Sequence, residues 1–375
     1  MGGNDLLIVA GEASGDLHGA RLLEELRRLR PEIAAFGLGG EELSRAGLDP
    51  VAHSSEIAVV GITEAIGVLK RAREIFSLLL QEVDRRNPTA AVLIDSPDFN
   101  LRLAKALKKR GVEVIYYISP QVWAWRRGRV KSIARWVDEM LVILPFEVDF
   151  YRKNGVEAID VGHPLVDEVP SLPHVWDREE SAPEPFQVAL LPGSRASEIN
   201  SILRTLLRAA EQLARNTPVR LVLIKAPTVK RDQIDRVLSE FDLEVEIVAD
   251  DRFEHIAASH LALCASGTAT LEVGLLGTPM IVVYRVGAGS AFVGRLIIRL
   301  PHVSLVNLVL GREVVPELLQ EDASPEAIAS RAGSLLGDTK EIRMMRNALQ
   351  ELRGMLGQSG ASRRAAERVS DHLEE

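Results

Sequence analysis

Short runs of branched apolar residues alternate along this chain with longer amphipathic stretches, and no other feature constrains the fold as strongly. LLIVA (6–10), AAVLID (90–95), VEVIYYIS (112–119) and MLVIL (140–144) are too short for ordinary helices and do not alternate polar with apolar. Such runs are expected as strands covered on both faces. HGARLLEELRRLR (18–30) and RLAKALKKR (102–110) lie between them and carry helical periodicity. Strand–helix alternation of this kind implies parallel sheets flanked by helices. The rhythm breaks over 162–186, where Pro164, Pro170, Pro173, Pro183 and Pro185 predict an extended connector. It resumes with QVALLPGS, VRLVLIKAP, VEIVAD, LALCASG and MIVVYRV. The expected organisation is an α/β domain over 1–165, a Pro-rich linker at 166–185, a second α/β domain over 186–355, and a charged helical tail over 356–375. Both domains are expected to be doubly wound.

At 375 residues the chain is long enough for two such cores. The 53 acidic against 45 basic side chains leave a net charge of −8, which argues against a general nucleic-acid partner. A single cysteine, Cys264, excludes a disulfide framework and Cys-rich metal sites. The eight histidines show no metal-binding spacing, so no metal and no bound cofactor is expected. The N-terminal stretch is not expected to be an export signal, and no run of about eighteen apolar residues could cross a bilayer.

Four motifs carry chemistry. GEASGDLHGA follows the first strand, and its Gly11, Gly15 and Gly19 punctuate a turn that also holds Glu12, Ser14 and Asp16. In open parallel sheets ligands sit off the carboxyl ends of strands, so this turn faces the expected crevice. The dinucleotide spacing G-x-G-x-x-G is absent, which disfavours a dehydrogenase. IDSPDFN places Asp95 and Asp98 at the next such end, where a carboxylate can act as general base. Position alone does not separate the two, and Asp98 or Asn100 could equally cap the following helix. LLPGSRASEI presents Ser194 and Arg195 at a helix mouth, an arrangement suited to a diphosphate. LCASGTATLEVGLLGTP repeats the plan with Ser266, Gly267 and Thr268 before a helix carrying Glu272, which could accept from a ribose diol. Two such turns in one half point to a nucleotide.

Three further stretches stand out. SPQVWAWRRGRVKSIARW (119–136) mixes tryptophans with basic residues, suiting a sugar, a phosphate or a membrane interface. Residues 66–80 set Ile66, Leu69 and Phe76 beside Lys70, Arg71 and Arg73, and 291–305 set Phe292 and Leu296 beside Arg295 and Arg299. Basic helices with bulky apolar faces suit a membrane surface, and buried domain helices would look much the same. His163, in GHPL, falls near the domain junction and could line the crevice.

Taken in order, AGEASGD, IDSPDFN, ISPQVWAWR, LPFE, VGHPL, LLPGSR, ASGTATLE and SLVNLVLGRE resemble the lipid-A-disaccharide synthase family through nearly the whole chain. One departure is Gln121, where Ser is more usual. The resemblance implies a GT-B fold, two Rossmann-like domains facing one another across a cleft. It implies an inverting hexosyltransferase that joins UDP-2,3-diacylglucosamine to 2,3-diacylglucosamine 1-phosphate, giving a β-1,6-linked disaccharide 1-phosphate and UDP. By the same resemblance Asp98 is the expected base with Glu12 beside it. Arg195, Ser194, Ser266, Gly267, Thr268 and Glu272 are expected to hold UDP, and Asn307 and His163 to reach the donor. Acylated substrates imply a peripheral protein on the cytoplasmic face of the inner membrane, serving lipid A and outer-membrane biosynthesis. The tail could pack on its own chain or on a partner's, which leaves a homodimer open. The rivals are a UDP-N-acetylglucosamine 2-epimerase, the transferase of the peptidoglycan lipid intermediate, and a non-catalytic nucleotide- or lipid-binding protein.

Overall fold

A computed structural model describes residues 3–57, 65–124, 127–173, 185–195, 198–285 and 301–373. The chain separates into two compact units, one of residues 1–164 with 357–375 and one of residues 165–356.

The first unit is built on a seven-stranded, all-parallel sheet. Its strands are β1 (Gly3–Ala10), β2 (Ala34–Gly39), β3 (Asp49–His53), β4 (Pro88–Ile94), β5 (Glu113–Tyr117), β6 (Glu139–Val142) and β7 (Ala158–Asp160), in the order β3-β2-β1-β4-β5-β6-β7. Leu6 to Ala10 and Ala90 to Ile94 are buried, because helices cover both faces and every side chain of these two runs meets one of two apolar layers. Helix α1 (Ala13–Leu29) turns Leu22, Leu23 and Leu26 inward on one face. It is followed by α2 (Glu41–Arg45), α3 (Ala65–Arg86), α4 (Pro97–Lys108), α5 (Val130–Trp136) and α6 (Pro145–Arg152).

The tail, whose docking the sequence left open, returns to this unit. Its helix Ala361–Asp371 lies on α1 of its own chain and adds Ala365, Ala366 and Val369 to the same apolar layer. Polar contacts reinforce the seat. Arg30 donates to Ser370 Oγ (2.8 Å), Arg368 to Glu139 (2.6 Å), and His372 is bonded to Glu113 (2.7 Å) and Glu139 (3.0 Å).

The second unit carries a six-stranded parallel sheet of β8 (Phe186–Leu191), β9 (Val219–Ile224), β10 (Val245–Val248), β11 (Leu261–Ala265), β12 (Met280–Tyr284) and β13 (Glu317–Leu319). Their order is β10-β9-β8-β11-β12-β13. Cys264 is fully buried in β11. In each sheet the order reverses once, between β1 and β4 and between β8 and β11, and the loops leaving those strands flank a crevice where ligands bind in such folds. The GEASGD, IDSPDFN, PGSR and ASGT motifs are those four loops.

Candidate active site

At the crevice of the first unit, the loop after β4 is held in an unusual shape. Asp95 and Ser96 both adopt left-handed backbone, at φ 45° and 42°, which a residue with a Cβ enters only at a cost of roughly 1–2 kcal/mol. Three hydrogen bonds fix the turn. The buried Asn100 side chain donates to the carbonyls of Ile94 (3.0 Å) and Asp95 (2.9 Å), and the Tyr116 hydroxyl donates to that same Asp95 carbonyl. The loop after β1 comes close because Gly11 has no side chain, since a Cβ there would stand 2.8 Å from Ser96 Oγ. Glu12, exposed at the mouth of α1, thereby sits where its charge acts on Asp95.

The Asp95 carboxyl is pushed up to about 6, chiefly by burial and then by the negative charge of Glu12, against a backbone hydrogen bond at Ser96. Asp98 stands differently. Its side chain is 71% exposed on the first turn of α4 and is ion-paired with Arg129. The two carboxylates of the motif thus stand in different surroundings, Asp95 half-buried and Asp98 exposed and paired. Asp16 departs from a ligand role: it is buried and accepts the backbone N–H groups of Gly40 (2.6 Å), Glu42 (3.0 Å) and Leu43 (3.1 Å), capping α2. His163 lies in this unit, buried, with its ring pulled down to about 3 by burial and then by His18, so it stays neutral at working pH.

Beside Asp95, the loop after β5 is anchored by a residue that sequence reading did not single out. Glu147, fully buried in α6, takes the Trp123 indole N–H (3.0 Å) on one oxygen and the Leu144 N–H (3.3 Å) on the other. Burial pushes its carboxyl up to about 7, against those hydrogen bonds. Trp123 packs edge-on to Phe146 at 5.0 Å, and Ser119 bonds Tyr151 at 2.7 Å. Trp123 is thus a structural tryptophan, whereas Trp125 lies outside the described residues. The signal available in the sequence was the Pro-Phe-Glu start of a helix, in which the third residue reaches back to the cap.

In the second unit, the turn after β8 is already closed by an anion of its own. Glu198 Oε2 accepts from the backbone N–H groups of Ser194 (2.9 Å) and Arg195 (3.0 Å), and its other oxygen lies 3.3 Å from the Arg195 guanidinium. Gly193, at φ 104°, is required here because a Cβ would fall 2.2 Å from that carboxylate. What the turn offers outward is the Arg195 side chain, 80% exposed. Gly267 and Thr268 are exposed after β11, and Ser266 donates to the Val303 carbonyl (3.3 Å). Glu272 is paired with Arg252 at 3.1 Å, and its carboxyl is raised by burial, opposed by Arg252 and reinforced by Glu168.

Asn307 is not placed to reach a ligand. It is fully buried, donates to the Val315 carbonyl (2.9 Å) and Glu317 (2.7 Å), and accepts from the N–H groups of Val314 (2.8 Å) and Val315 (3.0 Å). Every polar position of its amide is used inside the fold, so it acts as a clamp on the loop ahead of β13.

The expected membrane-contact residues divide. On α3, Leu69 is half exposed and Lys70 and Arg73 are exposed, but Phe76 packs on the core and meets Phe99 edge-on at 5.9 Å. Arg71 is committed to Glu56 (2.6 Å) and Glu74 (3.0 Å), so Phe76 and Arg71 are structural rather than interfacial. The Ile66 side chain, Phe292, Arg295, Leu296 and Arg299 lie outside the described residues. Among the described residues, no helix is long and apolar enough to cross a membrane, and no cluster of three His, Cys, Asp or Glu side chains could hold a metal ion.

Comparison with known proteins agrees with these loops and sheets. A family model described as lipid-A-disaccharide synthetase matches residues 6–370. The lipid-A-disaccharide synthase of Anaeromyxobacter sp. (strain K) is 46% identical over 370 residues, covering 98% of this chain and 97% of the relative. That of Myxococcus xanthus (strain DK1622) is 44% identical over 372 residues, covering 98% and 97%. Two solved structures share the fold at low identity. The UDP-GlcNAc 2-epimerase of Neisseria meningitidis has a TM-score of 0.67 at 13% identity, covering 98% of this chain and 100% of that one. The MurG protein of Acinetobacter baumannii has a TM-score of 0.61 at 11% identity, covering 98% and 99%. With its motifs, its two parallel-sheet units and these relatives, the chain belongs to the lipid-A-disaccharide synthase family, glycosyltransferases of the GT-B fold.

Proposed function

We propose that this enzyme moves a 2,3-diacylglucosamine unit from UDP to the 6-hydroxyl of 2,3-diacylglucosamine 1-phosphate. Asp95 takes the hydroxyl proton as the oxygen attacks the anomeric carbon, and the bond from that carbon to the diphosphate breaks on the opposite side. An α-linked donor then yields a β-1,6-linked disaccharide 1-phosphate, with UDP as leaving group. The observation that carries this reading is the half-buried Asp95 carboxyl, raised to about 6 by desolvation and by Glu12 at the crevice of the first sheet. A base with that pKa is ionised at neutral pH yet still takes a proton more readily than a solvated carboxylate. Glu12 tunes it and orients the acceptor.

The second unit holds the nucleotide. Arg195 meets charge developing on the departing diphosphate, with Ser194 and the Ser266-Gly267-Thr268 turn beside it. Glu272, steadied by Arg252, accepts from the ribose hydroxyls. His163, neutral, serves as a hydrogen-bonding group toward the sugar rather than as an acid. The acyl chains of both substrates require work at a lipid surface, so the enzyme is a peripheral protein of the cytoplasmic face of the inner membrane. The exposed Leu69 of α3, beside Lys70 and Arg73, suits that interface.

The test is turnover with both lipids in mixed micelles, following disaccharide and UDP together. The expected result is stoichiometric UDP and disaccharide only when both substrates are present. UDP released without acceptor, or epimerisation of a free UDP-sugar, would overturn the reading.

A further inference from the structure

The helices α4 and α5 pack side by side in the first unit and carry a charge pattern that the transfer chemistry leaves unused. Arg102, Lys105 and Lys109 follow at intervals of three and four, so they share one face of α4 and its end. Lys131 and Arg135 share one face of α5 in the same way. All five are exposed, and among the described residues none is paired with a carboxylate.

The two stripes converge on Trp136. Lys105 Nζ lies 5.8 Å and the Arg135 guanidinium 4.7 Å from the centre of its ring. The nearby acids are already neutralised: Asp98 by Arg129, Asp138 by Lys108 (2.7 Å) and Asp84 by Arg110 (2.7 Å). A protein of net charge −8 thus concentrates five uncompensated cations, with an aromatic ring among them, on one face.

We propose that this α4–α5 face docks the enzyme electrostatically onto an anionic lipid surface. The inference rests on the reading that both substrates are lipids. It assigns the electrostatic part of membrane attachment to α4 and α5 rather than to the apolar edge of α3. Anionic lipid is favoured as occupant because the face offers a row of long, exposed cations around one indole, complementary to a surface of negative head groups. Attraction of this kind is worth on the order of 1 kcal/mol per cation, so each neutralisation lowers partitioning by roughly fivefold.

The experiment compares the full-length wild type with R102Q/K105Q/K109Q/K131Q/R135Q, and with K105Q/R135Q as a milder variant. Each is floated with vesicles of phosphatidylcholine alone and of phosphatidylcholine mixed with phosphatidylglycerol, over a salt series. Wild type is expected to bind the mixed vesicles much more tightly than phosphatidylcholine alone, and less as salt rises. The double variant is expected to lose at least tenfold and the quintuple variant on the order of a hundredfold or more. Turnover on micelle-dispersed substrates is expected to stay unchanged, which also shows that the variants are folded.

Equal flotation of wild type and both variants would overturn the proposal, and so would wild-type binding to phosphatidylcholine alone as tight as to the mixed vesicles. Displacement of wild type from the mixed vesicles by an RNA oligonucleotide that binds this face more tightly would overturn it in favour of a nucleic-acid partner. The micelle assay separates this proposal from the one it rests on. Transfer without stripe-dependent flotation retires the docking face alone, whereas stripe-dependent flotation without transfer retires the reaction alone.

Discussion

The two crevice loops solve the same topological problem with opposite materials. After β4, the first unit forces two residues with side chains, Asp95 and Ser96, into left-handed backbone and half-buries the Asp95 carboxyl where the charge of Glu12 acts on it. After β8, the second unit gives the left-handed position to Gly193, satisfies the turn with Glu198, and leaves a cation in the open. Strain and burial make the first loop costly to hold and suit it to moving a proton. The second is relaxed and exposed, which suits it to gripping an anion that comes and goes. The lesson is that both loops end a parallel strand at a switch point, and side-chain chemistry rather than topology divides the labour.

The largest break in that comparison is expected at Asp95. D95N should lower turnover by about a hundredfold to ten-thousandfold, the usual size of a general-base effect, while D98N should lose less than about tenfold. Steady-state rates of the two variants in one assay decide between them. R195A should be smaller, a loss of about ten- to hundredfold in kcat/KM for the UDP-linked substrate with acceptor KM unchanged.

The same contrast predicts opposite effects on stability. With its pKa raised from 3.8 to about 6, Asp95 binds its proton more tightly in the folded chain, so its contribution is full below about pH 3.8 and is lost as pH rises through 6. D95N should therefore melt a few degrees higher than wild type at pH 7.5 and gain little near pH 4. R195A, on an exposed side chain, should leave the melting temperature where it was. The smallest expected effect is at Ser96. S96G should relieve left-handed strain by about 1 kcal/mol or less in denaturant unfolding, because glycine also costs more entropy to fix.

Much of the fold was legible in the sequence because buried parallel strands announce themselves. Runs such as LLIVA and AAVLID admit few other readings, and the strand-end motifs located both crevices. What could not be read was how a side chain turns at a strand end. Asp95 and Asp98 sit three residues apart in one motif, yet one is half-buried at the strand end and the other is carried outward by α4 and met by Arg129, distant in sequence. Asn307 and Glu198 were hidden for the same reason, since a polar residue satisfied by backbone donors looks from sequence like one awaiting a ligand. Glu147 was missed because its partner Trp123 lies in another motif, after a different strand. Its raised carboxyl predicts a near-UV signal from Trp123 that changes across pH 7 in wild type and is flat in E147Q.

The central claim, that Asp95 is the base and that Glu12 adds to its proton affinity, is tested most directly by the pH dependence of kcat/KM in wild type and E12Q. Wild type should rise with pH through about 6 and then level. Removing the negative charge of Glu12 should move that limb to lower pH, because the charge is what helps hold the proton on Asp95. An acid limb that stays in place in E12Q, or is absent from wild type, would contradict the account.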